Sequence, residues 1–117
     1  MTDIQRLKAG PRMSQAVIHG NTVYLAGQVA QRAPGQSVAE QTRDILAAID
    51  ELLAEAGTDK SKLLSATIWL VDMNNFAEMN AVWDAWVVPG HTPGRACVEA
   101  KLAAPQYTVE IAVIAAR

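Results

Sequence analysis

The chain has 117 residues, half of them apolar, with ten Lys and Arg against twelve Asp and Glu. That length fits a single domain over residues 1–117 that buries roughly two-thirds of its unfolded surface, and the composition excludes a disordered or low-complexity chain. A formal net charge of −2 without a basic stripe argues against a nucleic-acid partner, and apolar runs far below the roughly 18 residues of a bilayer span argue against a membrane.

The first readable element is a hairpin. Two β-rich runs, Gln15 to His19 and Thr22 to Val29, flank Gly20-Asn21, which suits a two-residue turn. Pro34 and Gly35 make 31–36 a loop. Ser37 and Glu40 then have capping-box spacing, and Val38, Ile45, Ile49, Leu52 and Ala56 recur at steps near three and four up to the stop signal Gly57. Leu63 to Val71 reads as a buried strand with Leu64, Ala66, Ile68 and Leu70 opposite Ser65, Thr67, Trp69 and Val71. Asp72 or Asn74 can cap a second helix striped by Phe76, Met79, Trp83 and Trp86 and closed by Pro89-Gly90. Two strands follow, Arg95 to Leu102 and Tyr107 to Ala115.

The order ββαβαββ predicts an α+β fold, a sheet with both helices on one face. Val109, Ile111 and Val113 stand opposite Ala112 and Ile114, so the last strand is apolar on both sides. Two helices cannot cover two faces, and the second face is expected to meet another copy of the chain.

Cys97 is the only cysteine, which excludes an internal disulfide and fits a reducing compartment. With no basic-then-apolar stretch in Met1-Thr2-Asp3-Ile4-Gln5, the expected location is the cytoplasm. His19 and His91 lie in no cluster of zinc spacing, and no metal is expected.

Five residues could carry chemistry. Arg95 follows Thr92-Pro93-Gly94, and its planar fork suits a carboxylate; the competing reading is a surface or interface arginine paired with an acid. Glu110 is an acid inside an apolar strand, where partial burial would raise its pKa towards proton exchange near neutrality; alternatively it faces solvent on an edge strand or pairs with Arg95 or Lys101. Strand alternation sets Arg95, Cys97 and Glu99 on one face. Cys97 is then either a nucleophile beside a cation or a small packed hydrophobe. Asn80 lies in the stripe of the second helix and needs a hydrogen-bond partner, such as a neighbouring loop to cap. Gly27, inside a strand, marks a bulge or a close approach to ligand. The tryptophans Trp69, Trp83 and Trp86 are read as core or subunit contacts.

Taken together, Ala26-Gly27-Gln28, the run Asp72 to Asn80, Pro93-Gly94-Arg95-Ala96-Cys97-Val98-Glu99 and Val109-Glu110-Ile111 resemble the RidA/YjgF family of reactive-intermediate deaminases, almost end to end. The resemblance implies a chorismate-mutase-like fold and a homotrimer with sites in the clefts between subunits. It also implies hydrolysis of 2-imino or enamino acids such as 2-aminoacrylate to 2-oxo acids and ammonia, without metal or cofactor. By position, Arg95 would clamp the substrate carboxylate and Glu110 would position the attacking water and assist proton transfer. Gly27 and Cys97 would line the site, and Asn80 would support the cleft. Met13 stands where the family often has a tyrosine, Ala26 where a serine is common, and Gly94 where alanine or valine is usual. The two lost hydroxyls leave a second reading open, a non-catalytic trimeric module that binds 2-oxo acids or regulates through them.

Overall fold

The computed structural model describes residues 3–117; Met1 and Thr2, which open the stretch read above for a leader, lie outside the described residues. The strands are β1 (Ile4–Leu7), β2 (Ala16–His19), β3 (Thr22–Leu25), β4 (Gln28–Val29), β5 (Leu63–Leu70), β6 (Gly94–Glu99) and β7 (Val109–Ala116). The helices are α1 (Val38–Glu55) and α2 (Phe76–Trp86). One sheet runs in the order β1-β2-β3-β7-β5-β6, with β4 also paired to β7. Only β5 and β6 are parallel, joined through α2, so the sheet is mixed as the α+β reading requires.

Helix α1 forms where its signals stand. The Ser37 side chain accepts a hydrogen bond from the Glu40 amide, satisfying one free donor of the first turn. Gly57 at φ +82° then lets the chain leave, with the Thr58 N–H returning to the Leu53 carbonyl. Val38, Ile45, Ile49 and Leu52 are buried against the sheet side lined by Ala66, Ile68 and Leu70 of β5 and Val109, Ile111 and Val113 of β7. Each such side chain, fully buried, stabilises the fold by about 1.5–3 kcal/mol. Met79, Trp83 and Trp86 bury the inner stripe of α2 in the same core.

The opposite face carries Tyr24, Trp69, Ala96, Val98, Glu110, Ala112 and Ile114, as their pairings dictate. Neither helix lies over it, and Tyr24 and Val98 are each 45% exposed. Among the described residues no helix is long and apolar enough to cross a membrane.

Several expectations need correction. The run Thr22 to Val29 is not one strand: Ala26-Gly27 breaks it, and only Gln28–Val29 resumes pairing with β7. Leu64 is 52% exposed, because a register shift between Leu63 and Ser65 puts Leu63 into the core in its place. Asp72 caps a short 3-10 turn, Met73–Asn75, and α2 starts only at Phe76 and ends at Trp86, before Pro89. The strand at Arg95 stops at Glu99, and the last begins at Val109.

Candidate functional site

Arg95 lies at the start of β6, the edge strand of the sheet, and pairs with Ala66 on the helix-covered side. From that position its side chain reaches over α2. Phe76, Asn80 and Trp83, at helical steps of four and three, present one stripe to it. Its Nη1 donates to Asn80 Oδ1 at 2.8 Å, and its guanidinium carbon stands 5.6 Å from the Phe76 ring centroid and 5.5 Å from that of Trp83. Both distances are within cation–π range. Arg95 belongs to none of the ion pairs among the described residues, so within one chain it is not a surface arginine paired with an acid. Among the described residues Asn80 likewise caps no loop; it is the polar partner of Arg95.

The alignment of α2 under Arg95 has its own supports. Glu99, on the same face as Arg95, accepts from the Met73 amide at 2.9 Å, tying the entrance of α2 to the far end of β6. The Ala39 amide donates to Glu78 at 2.8 Å and links α2 to the first turn of α1.

Glu110 sits on β7, an interior strand, which removes the edge-strand reading, and it forms no ion pair with Arg95 or Lys101. Its side chain lies across Gly27. A Cβ at that position would overlap the Glu110 carboxylate, with Cδ at 3.0 Å, so the interruption between the strands at Ala26-Gly27 is where the backbone makes room for this acid. The half-buried Glu110 also lines a cavity of about 270 Å³ with Trp69, Ala100, Lys101, Leu102 and Ala103.

The two groups face away from each other within one chain. Arg95 is paired with Ala66 and Glu110 with Trp69, three residues apart on the intervening β5, and an odd step along a strand changes face. The structure therefore brings together Arg95, Asn80 and Cys97 on one side, and Gly27 with Glu110 on the other. Cys97 is half-buried; desolvation pushes its thiol above the usual range, and the Arg95 cation offsets this only in part. A thiolate nucleophile at neutral pH is not what this environment favours.

Met13 is exposed in the segment before β2, where its carbonyl accepts from the Gly10 amide, and the Ala26 amide donates to the Gln15 carbonyl. At Gly94 a Cβ would meet only the Leu64 carbonyl, at 3.8 Å. Sequence reasoning placed Phe76 in the apolar stripe of the second helix and read Trp83 as a core or subunit contact, and missed their contact with Arg95. The signal was a polar residue, Asn80, set between two aromatics on one helical stripe. Trp69 and Lys101, beside Glu110, were also missed as site residues. Among the described residues no group of three or more His, Cys, Asp or Glu is placed to hold a metal ion.

Comparison with known proteins adds to this geometry. The family model described as Endoribonuclease L-PSP matches residues 3–117. The chain is 49% identical to the RutC family protein YoaB of Escherichia coli over 113 residues, covering 97% of each. It superposes on the crystal structure of a YjgF family member from Neisseria meningitidis with a TM-score of 0.95 at 50% identity, over 98% of this chain and 95% of the other. A more distant relative, the 2-iminobutanoate/2-iminopropanoate deaminase of Rattus norvegicus, is 32% identical over 108 residues, covering 87% of this chain and 77% of the relative.

Proposed function

The chain belongs to the RidA/YjgF family, and from that premise we propose that it hydrolyses reactive 2-imino acids and their enamine tautomers to 2-oxo acids and ammonia. One observation carries the reading: a guanidinium fixed by Asn80, Phe76 and Trp83, with no carboxylate partner among the described residues. A cation held in place but left without a counter-ion suits an incoming anion, and the fork of arginine matches a carboxylate in two parallel hydrogen bonds. The deaminase named among the relatives supplies the reaction class.

In this scheme Arg95 binds the substrate carboxylate and so fixes the adjacent imine carbon. Glu110 accepts a hydrogen bond from a water molecule and takes its proton as the oxygen adds to that carbon. That proton passes to the imine nitrogen to give the carbinolamine; Glu110 then moves the hydroxyl proton to the amine, and as the C=O bond forms the C–N bond breaks and ammonia leaves with the bonding pair. General acid–base help of this kind is worth on the order of 10²–10⁴-fold. Because Arg95 and Glu110 face opposite ways, the site is assembled between subunits, with the Arg95 side of one chain against the Glu110 side of the next. The exposed apolar sheet face around Tyr24 and Val98 is the surface such an assembly would cover. A homotrimer is the assembly we propose.

The test is ammonia release from imino acids generated in place by an amino-acid oxidase or a serine/threonine dehydratase. Acceleration over buffer that is lost in Arg95→Ala, with the oligomer intact, is the expected result. No acceleration with any of several side chains, together with retained 2-oxo acid binding, would replace the enzyme by the binding module that Ala26 and Met13 leave open. Full activity in Arg95→Ala would place the anchor elsewhere. The family model's description names an endoribonuclease, but the formal charge of −2 gives a phosphate backbone little to bind.

A further inference from the structure

We propose that Phe76 and Trp83 act as positioning residues, a pair of aromatic jaws that set the Arg95 guanidinium before any carboxylate arrives; this rests on the reading of Arg95 as the anion anchor. An arginine on an edge strand ordinarily samples many rotamers, and binding must then freeze them, at a cost that subtracts from affinity. Here that freedom is already removed. Ring centroids at 5.6 and 5.5 Å hold the cation, and Asn80 takes one of its N–H groups. An arginine has five such donors, so the remainder of the fork stays available.

The jaws differ in how they are held. Trp83 is 5% exposed and leans on Trp86, with centroids 5.4 Å apart and planes at 48°. Trp86 is itself fixed by donating Nε1 to Asp50 at 3.0 Å, with the Lys60 ammonium 5.2 Å from its ring. The inner jaw is thus part of the core. Phe76, at the first residue of α2, is 37% exposed and belongs neither to the buried core nor to the side chains packed against it, so its position is explained better by contact with Arg95 than by core packing. That asymmetry makes the outer jaw the one to substitute, since its loss disturbs Arg95 without opening the core.

The experiment measures pyruvate binding to the full chain by calorimetry, alongside the ¹H–¹⁵N resonance of Arg95 Nε. Phe76→Leu is expected to weaken pyruvate binding about 2- to 12-fold, the range for releasing one immobilised side chain, and to move the Arg95 resonance out of the ring-current field. Its melting temperature should match that of the wild type. Phe76→Tyr, which keeps the ring, should bind as the wild type does. Two results would overturn the proposal: wild-type affinity in Phe76→Leu when Arg95→Ala has lost pyruvate, or weakened affinity with an unmoved Arg95 resonance. Pyruvate binding that survives in Arg95→Ala would instead overturn the anion-anchor reading, and with it the proposal built on it.

Discussion

Gly27→Ala isolates the placement of Glu110 from its chemistry. A methyl group at Gly27 falls on the Glu110 carboxylate, and Oε2 would have to retreat by roughly 1 Å or more to regain ordinary spacing. The backbone does not resist the change, since Gly27 is not among the residues with positive φ. What must yield is the far end of a flexible side chain, at about 0.5–1.5 kcal/mol if an off-rotamer angle absorbs the shift. Folding should therefore suffer little, whereas a displacement of about 1 Å at a reacting group lowers turnover on the order of 10²-fold. The assay is steady-state ammonia release beside a thermal melt. In a chain already carrying Glu110→Ala, adding Gly27→Ala should cost nothing further, because both changes act through one group. Wild-type turnover in Gly27→Ala would mean that the position of this carboxylate is immaterial to the reaction.

Two further substitutions address residues of the other half. The raised Cys97 thiol should react with iodoacetamide more slowly than a free cysteine at neutral pH and throughout the rise towards the ordinary thiol range; alkylation at about pH 7 as fast as that of a free cysteine would contradict the desolvation argument. Because the folded thiol is raised, its contribution to stability is present below the ordinary thiol value and is lost as pH rises through the folded one. Alkaline destabilisation should accordingly be milder in Cys97→Ala. Gly94→Ala should stabilise the chain by about 0.4–1 kcal/mol in urea titration, as a Cβ there finds only the Leu64 carbonyl at 3.8 Å. A lower urea midpoint would show that the turn before Arg95 needs glycine's backbone freedom.

Where local signals agreed with tertiary packing, the sequence was a good guide. Ser37, Gly57 and the apolar stripe between them defined α1 because cap, stop and period all point to one helix. Ile4-Gln5-Arg6-Leu7 offered no such agreement, and β1 exists because β2 gives it a partner. Leu64 and Leu63 exchange places through a register shift that strict alternation cannot reveal. The candidate residues were legible by type, but their relation was not. Fifteen positions separate Arg95 from Glu110 in sequence, yet β5 inserts between their strands, and only that pairing fixes their opposite orientation. Asn80 was recognisable as a polar residue needing a partner, though the partner lies on a strand beyond the helix.

That opposite orientation has a consequence for how damage spreads. In the proposed ring each chain lends its arginine to one neighbour and its glutamate to the other, so no chain owns a complete catalytic unit. A lesion at Arg95 silences one junction and leaves the same chain's Glu110 serviceable at the next. Loss of function is then counted by junctions rather than by molecules, and two differently broken copies can restore between them what neither retains alone.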